Sequence, residues 1–272
     1  MPLLATTGVA VIAHRGSRHV RPENTFAAFD HALSLGVQGF ECDVRLSSDG
    51  VPVVIHDATL DRTTNAAGSV AAKTADELAR FDAGWRFGRG EGFPFRGRGC
   101  GVPRLVELLD RYPTIPAILE IKGGRPESAA RTVEAVRATR AEDRVIIAGF
   151  SDIVIQTVRR LAPDIPTSAS RAEGRSAIRR AYLRLRPKPS TYRAFLIPFR
   201  QAGRRRFNRR FVRVATAAGI PVHAWTINDP ADMRLLAAWG VNGLVTDRPD
   251  VAMRETGDLG NWRTGELGTG QP

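Results

Sequence analysis

A repeated alternation of short apolar strands and amphipathic helical stretches constrains the fold of this chain more than any other feature. Nine strand candidates lie at residues 8–14, 39–44, 51–56, 116–121, 144–149, 165–168, 193–197, 221–226 and 243–247. Helical periodicity fills most of the gaps, as in the stretches 22–33, 128–140, 153–161, 208–218 and 230–239. Repeated βα units of this kind predict a mostly parallel sheet.

The number of strands favours a closed barrel. Only six residues, 45–50, separate the second and third candidates, which is too short for a parallel crossover, so this pair predicts a hairpin. Eight parallel strands then remain in roughly 250 residues, which predicts an α/β fold of the TIM (β/α)8 type. A doubly wound open sheet is the alternative. It is disfavoured because no glycine-rich phosphate-binding turn follows the first strand.

We expect one barrel domain over residues 8–250. The stretch 58–101 follows the strand that ends at His56 and is longer than a barrel connection requires, so we expect an insertion on the catalytic face, a lid or a substrate-binding subdomain. The polar, glycine-rich tail 257–272 is predicted to be disordered.

The composition is typical of a globular protein, and it excludes several classes. No window of about 18 apolar residues could form a membrane-spanning helix. The opening residues lack the basic region of a secretory signal, so a cytoplasmic location is expected. Two cysteines cannot build a disulfide framework or a four-cysteine zinc site, which fits a reducing compartment.

Positive charge is concentrated in one segment, residues 171–213. This Arg-rich segment holds 15 basic residues and one acidic residue, a net charge of +14. The whole chain carries a formal charge of +12, so the remainder carries −2. The excess therefore has a local cause.

Three interpretations of the Arg-rich segment stay open. Its arginines could be solvated helix faces in an arginine-biased proteome, or a peripheral contact with an anionic membrane surface. Nucleic-acid binding is disfavoured because no nucleic-acid motif accompanies the arginines. Four phenylalanines interleave with them, and two of these, Phe195 and Phe211, are predicted to be core residues.

Polar residues collect at the carboxyl ends of the predicted strands, where barrel enzymes carry their active sites. The residues are His14, Arg15, Glu41, Asp43, His56, Asp57, Glu120, Lys122 and Trp225. Asp247 ends the last strand, where an ion pair with Arg248 could simply close the barrel.

Two of the carboxylates suggest a metal site. Glu41 and Asp43 are two residues apart, so on a strand both side chains point to the same face. Their mutual repulsion would favour a cation between them, and Glu120 could add a third carboxylate. Three carboxylates suit Mg²⁺ or Ca²⁺ rather than zinc. The alternative is a purely structural salt-bridge network of Glu41 and Asp43 with Arg15 and Lys122.

Two histidines suggest proton transfer. His14 and His56 each close an apolar strand, and a pair of imidazoles can serve as general acid and general base near neutral pH. Arg15 and Lys122 add positive charge suited to a phosphate. Trp225 fits a core position and a ligand-stacking wall equally well.

The remaining histidines do not lie next to these strand-end acidic and basic residues in the sequence. His19, His31 and His223 stand apart from the acidic and basic side chains, so we expect them to be structural.

The ordered set of motifs resembles the glycerophosphodiester phosphodiesterase family. The matching motifs are AHRG at 13–16, PENT at 22–25, ECDV at 41–44, VVIHD at 53–57, LDRTTN at 60–65, LEIK at 119–122, AWTIN at 224–228 and GLVTDRP at 243–249. Each motif is weak alone, but together they span residues 10–250 in the family's order. The family's usual Pro-Thr-Leu is replaced here by Pro103, Arg104 and Leu105.

The resemblance implies a TIM barrel that binds a divalent metal ion and cleaves a small glycerophosphodiester to glycerol 3-phosphate and an alcohol. It implies that Glu41, Asp43 and Glu120 hold the metal and that His14 and His56 are the acid/base pair. It places Arg15 and Lys122 on the phosphate. The reaction it implies begins with attack by the neighbouring glycerol hydroxyl, and the resulting cyclic phosphate is then hydrolysed.

Two other functions are weighed against this one. A phospholipase D-type phosphodiesterase, acting on lysophospholipids at a membrane surface, shares the two histidines and the acidic cluster. The lysine in the LEIK motif favours the first family. A basic, non-enzymatic binding module on a barrel scaffold is disfavoured because the motif set is intact.

Overall fold

The computed structural model describes residues 2–5, 8–185 and 191–260. The strands are β1 (Ala10–His14), β2 (Gly39–Leu46), β3 (Pro52–Val54), β4 (Ala117–Ile121), β5 (Val145–Ala148), β6 (Phe195–Pro198), β7 (Arg200–Gln201), β8 (Arg204–Arg205), β9 (Val222–Trp225) and β10 (Gly243–Thr246). The helices are α1 (Phe26–Ser34), α2 (Ala75–Arg80), α3 (Leu105–Arg111), α4 (Pro126–Ala138), α5 (Asp152–Leu161), α6 (Arg171–Tyr182), α7 (Arg209–Ala217), α8 (Pro230–Trp239) and α9 (Pro249–Gly260).

Seven parallel strands form a nearly closed barrel, which confirms the predicted fold class. Their order is β5-β4-β2-β1-β10-β9-β6. β3 pairs antiparallel with β2, as the short connection between them predicts. The carboxyl ends of the parallel strands therefore meet on one face of the barrel.

The eighth parallel strand, predicted at 165–168, is reduced to two single-residue bridges. Thr167 pairs with Ile147 of β5, and Ser168 pairs with Ala194 next to β6. These bridges connect the two ends of the sheet. Pro166 has no N–H to donate, which shortens the ladder that this segment can form.

The barrel interior changes from apolar to polar along its axis. Leu3 lies at the amino-terminal end, where it packs with inward residues of the strands such as Ile12, Ile118 and Ile146. Two residues further along the same strands, His14 and Glu120 point to the same inner face at the carboxyl end. The larger apolar cluster lies between the strands and the surrounding helices.

The stretch 58–101 contains α2 and short 3₁₀ turns, and it packs around a small apolar cluster of its own that includes Leu60 and Leu78. Residues 257–260 of the predicted disordered tail belong to α9, and residues 261–272 lie outside the described residues. Residues 186–190 of the Arg-rich segment also lie outside them.

The interleaved phenylalanines of the Arg-rich segment are core residues. Phe195, Phe199, Phe207 and Phe211 are all buried, including the two that sequence reasoning did not assign to the core. None of the four is therefore available to stack on a base. No described helix combines the length and the apolar character required to cross a bilayer.

Candidate active site

Strand register brings the polar side chains together at the carboxyl end of the barrel. Glu41 of β2 lies opposite His14 of β1, and Asp43 of β2 lies opposite Glu120 of β4. Side chains in register on neighbouring parallel strands share one face. The His14–Glu41 pair and the Asp43–Glu120 pair therefore form a single cluster.

Asp43 is fully buried and held by cations. Its Oδ2 lies 2.9 Å from Arg15 Nε and accepts a hydrogen bond of 2.8 Å from Asn24 Nδ2, while its Oδ1 lies 2.9 Å from Lys122 Nζ. Burial favours the neutral acid, but the charges of Arg15 and Lys122 outweigh it and lower the pKa of Asp43. Asp43 is therefore a carboxylate at neutral pH. The salt-bridge alternative describes this residue well.

Glu41 lies in a different electrostatic environment, although it is only two residues away. Its Oε2 accepts a hydrogen bond of 3.2 Å from the backbone N–H of Arg15, and its Oε1 is buried with no hydrogen-bond partner. Burial, together with the negative charges of Asp43 and Glu120, raises its pKa well above the ordinary value. The salt bridges of Arg15 and Lys122 thus do not account for Glu41. Its ion-pair contact among the described residues is His14 Nε2, 3.8 Å from Oε2, which is a cation only when protonated.

The three carboxylates offer one ligand set for a hard cation. Oxygen atoms of Glu41, Asp43 and Glu120 lie within 4.8 Å of one another. The orphaned Oε1 of Glu41 and the all-oxygen donor set fit a divalent ion such as Mg²⁺ or Ca²⁺. Lys122 Nζ, 2.7 Å from Glu120 and 2.9 Å from Asp43, balances part of the charge.

Each of the two strand-end histidines is held by an aspartate. His14 Nδ1 lies 2.6 Å from Asp247 Oδ1, and His56 Nδ1 lies 2.6 Å from Asp57 Oδ1. A carboxylate only accepts, so Nδ1 carries the proton in both rings, and Nε2 of His14 lies 3.8 Å from Glu41 Oε2. Burial lowers the pKa of His56, although Asp43 and Asp57 oppose this shift.

A second layer of charged residues was missed by sequence reasoning. Glu23 accepts a 2.9 Å bond from Arg15 Nη1 and two 2.8 Å bonds from Arg62, and Arg62 also donates a 2.6 Å bond to Asp57. Asp247, expected to pair with Arg248, instead supports His14 and is further held by Asn228 at 2.8 Å. The only signal in the sequence was that Glu23, Arg62 and Asp247 lie within the motifs at 22–25, 60–65 and 243–249, to which no catalytic role was assigned.

Local backbone geometry at the end of β1 directs the Arg15 side chain to the carboxylates of Asp43 and Glu23. Arg15 has a φ of 55°, in the left-handed region that side chains rarely adopt, and Gly16 follows with a φ of 81°. A Cβ on Gly16 would lie 2.6 Å from the Ala28 backbone, so this close approach requires glycine. Thr25 caps α1, which places Asn24 against Asp43.

The position of Trp225 is compatible with both roles that the sequence left open. It packs partly buried against the barrel's inner cluster, and its ring meets Phe150 edge-on with centroids 5.6 Å apart. Trp225 and Glu120 also border a cavity of about 230 Å³ between the carboxyl ends of β5 and β6 and helix α6. Of the three carboxylates, Glu120 therefore borders this side cavity.

Comparison with known proteins finds similarity over most of the chain, including the residues of this site. A model of the glycerophosphoryl diester phosphodiesterase family matches residues 14–251. A glycerophosphodiester phosphodiesterase of Caldanaerobacter subterraneus subsp. tengcongensis is 32% identical over 248 residues, 88% of this chain and 94% of its own length.

Two solved structures share the fold and more than a quarter of the aligned residues. A glycerophosphodiester phosphodiesterase from Agrobacterium tumefaciens is 29% identical with a TM-score of 0.72, covering 90% of this chain and 99% of its own. An Oleispira antarctica phosphodiesterase, solved in complex with the product sn-glycerol-3-phosphate, is 28% identical with a TM-score of 0.72, covering 90% and 96%.

Proposed function

Because the chain belongs to the glycerophosphoryl diester phosphodiesterase family, we propose that its phosphodiesterase reaction depends on a carboxylate-bound divalent ion and on the two strand-end histidines. The substrates would be small glycerophosphodiesters, and the products glycerol 3-phosphate and an alcohol. The observation that carries the proposal is the uncompensated Glu41 beside Asp43 and Glu120, facing two aspartate-held imidazoles.

Glu41, Asp43 and Glu120 would hold the ion. Bound there, Mg²⁺ or Ca²⁺ would supply positive charge next to the phosphate oxygens and so favour negative charge that develops on phosphorus. The ion would also favour the charged form of Glu41, whose pKa the protein alone holds well above the ordinary value.

The histidines would move protons at their Nε2 atoms, since Nδ1 is engaged in each ring. His56 has a lowered pKa and so is neutral at pH 7, which makes its Nε2 the base that takes the proton of the attacking hydroxyl. The phosphorus–oxygen bond to the leaving alcohol breaks, and that oxygen takes a proton from His14 Nε2. In the second stage water opens the cyclic phosphate with the proton transfers reversed.

Arg15 and Lys122 retain donors for the phosphate. A guanidinium has five N–H donors, and Arg15 uses only Nε and Nη1 on Asp43 and Glu23. Lys122 has three, with Asp43 and Glu120 as its partners. The remaining donors would bind phosphate oxygens.

The inserted stretch 58–101 would form one wall of the site, within a single catalytic domain over residues 8–250. Arg62 carries this role, because it connects the insertion to Glu23 and to Asp57, the residue that holds His56. The insertion would thereby fix the orientation of the catalytic base.

The direct test measures glycerol 3-phosphate release from glycerophosphoglycerol and glycerophosphocholine after EDTA treatment, and again after Mg²⁺ or Ca²⁺ is added back. We expect release to stop with EDTA and return with one of the ions. Glu41→Gln and His14→Asn should lose turnover by at least about 10²-fold, as removal of a metal ligand or a general acid does. His31→Gln, a histidine bonded to Ser17 outside the cluster, is the matched control.

Three outcomes would contradict the proposal. EDTA-resistant turnover would exclude the metal, and near-wild-type activity of either variant would exclude its assigned role. Release of the free alcohol with the cyclic phosphate as the final product would indicate the phospholipase D-type reaction instead.

A further inference from the structure

The side cavity next to the carboxylates carries an unusual charge. Besides Glu120 and Trp225, it is lined by Arg171 and Arg175 of α6, Arg200 of β7 and Arg206 beyond β8. All four belong to the Arg-rich segment 171–213. All four are exposed to solvent, and they converge on one cavity beside the site.

Three of these guanidinium groups are not neutralised by the described part of the chain. Arg200 is paired with Asp232 at 2.5 and 2.7 Å. By contrast, no carboxylate of the described residues lies within 4.0 Å of the charged atoms of Arg171, Arg175 or Arg206. Glu173, the one acid of this segment, is directed instead to Arg159 at 2.8 Å. The cavity wall thus has unpaired positive charge.

Helix α6 presents this charge in a regular way. Arg171, Gly174, Arg175 and Ile178 have the spacing i, i+3, i+4 and i+7, so they form one face of the helix, and all four line the cavity. A Cβ on Gly174 would meet nothing within 4 Å, so space remains between the two arginines. A ligand group could enter this space and contact both guanidinium groups.

The aromatic wall of the cavity is already occupied by a cation. Phe150 and Trp225 could by themselves bind a quaternary ammonium such as choline through cation–π contacts. However, the Arg171 guanidinium carbon lies 5.3 Å from the centroid of the Phe150 ring. A cationic leaving group would have to compete with Arg171 for this ring and approach two further arginines.

We propose that this cavity receives the leaving alcohol of the substrate and selects alcohols that carry an anionic group of their own, such as a second phosphate. Arg171, Arg175 and Arg206 recognise that anion, and Phe150 and Trp225 contact the part of the alcohol next to the scissile phosphate. This inference rests on the proposed function, since it names the substrate class of the same site. Guanidinium groups suit it because they bind phosphate oxygens in pairs.

The test uses substrates that differ in the charge of one leaving alcohol. Glycerophosphoinositol and glycerophosphoinositol 4-phosphate share the alcohol, with and without a phosphate, and glycerophosphocholine supplies a cation. We expect kcat/KM to be highest for the 4-phosphate and lowest for the choline ester. Arg171→Gln and Arg175→Gln should each lower the ratio of the 4-phosphate to glycerophosphoinositol by about tenfold, the usual effect of one charge-assisted hydrogen bond.

Two further variants distinguish binding of the leaving alcohol inside the cavity from nonspecific electrostatic attraction of an anionic substrate to the Arg-rich segment. Gly174→Leu fills the space between the arginines without changing charge, and it should also lower that ratio. Arg209→Gln removes a charge from the same segment on α7, away from the cavity, and should leave the ratio unchanged.

The failures of the two proposals are distinguishable. Absence of turnover for every substrate with every ion would overturn both. Turnover with equal kcat/KM for the two inositol esters, or with a ratio that the cavity variants do not change, would overturn only this inference. A third outcome would assign the arginines to a membrane surface instead. In that case the wild-type protein sediments with phosphatidylglycerol vesicles, Arg171→Gln and Arg175→Gln abolish this sedimentation, and the kcat/KM ratio of the two inositol esters is unchanged.

Discussion

His223 should make the folded protein lose stability in mild acid. The ring lies fully buried on β9, and its Nε2 donates a 2.8 Å hydrogen bond to the backbone oxygen of Leu3. Its Nδ1 is buried without a partner and packs against Gly243, where an added Cβ would lie 2.1 Å away. A second proton on Nδ1 would find no acceptor. Burial accordingly lowers the pKa of His223 to about 4, from an ordinary value of 6.5.

The sign and size of the effect follow from this shift. Between pH 6.5 and 4 the unfolded chain binds the His223 proton and the folded chain does not, so the free energy of unfolding falls as the pH falls. The stabilisation is complete above pH 6.5 and is lost as the pH approaches 4. A difference of about 2.5 pKa units at 1.36 kcal/mol each gives about 3 kcal/mol.

Urea unfolding at half-unit steps from pH 7.5 to 4 would measure this loss. His223→Gln is the matched variant, since its amide can donate to Leu3 but does not titrate. Other acid-labile groups act equally in both proteins and cancel in the difference. We expect wild type to lose about 3 kcal/mol more than the variant. Parallel curves for the two proteins would refute the assignment of a neutral, buried His223.

Three further predictions concern the site. Asp247→Asn should lower kcat by roughly 10²–10⁴-fold with little change in KM, because His14 loses the partner that fixes its tautomer; an unchanged kcat would contradict this. In metal-free protein Glu41→Gln should raise Tm by roughly 2–4 °C, because it removes a buried acid that must take up a proton on folding, and added Mg²⁺ or Ca²⁺ should raise Tm of wild type only; calorimetry with both proteins decides. Gly16→Ala should lower the free energy of unfolding by about 2–4 kcal/mol, because its Cβ meets the Ala28 backbone; urea unfolding with less than about 1 kcal/mol lost would argue against that contact.

The barrel was predictable because its signal is local. Each strand is a short apolar run, and each helix has a 3.6-residue period, so the order of elements is visible without tertiary information. The eighth strand was overestimated for the same reason. The run 165–168 has the composition of a strand, but Pro166 and the short segment allow only single bridges to Ile147 and Ala194.

The site was predictable only as far as strand ends define it. His14, Glu41 and Asp43 follow apolar runs, so topology alone brings them to one face. The supporting residues Glu23 and Asp247 lie beyond strand ends, where the partner of a charged side chain depends on loop conformation. The same limit applied to the Arg-rich segment, whose arginines had no visible target until the cavity beside Trp225 defined one.

The contrast between Glu41 and Asp43 explains why the site is better suited to function than to stability. Both carboxylates lie on the same face of β2 and are buried to nearly the same degree. Arg15 and Lys122 both compensate Asp43, whereas Glu41 has an oxygen without any donor. An isolated fold would gain by replacing Glu41 with a neutral residue, because folding must either bury the charge of this carboxylate or add a proton to it, and both cost free energy. A cation that enters the cluster from outside the chain would offset that cost, so under the proposed function Glu41 would couple the stability of the barrel to the binding of the ion.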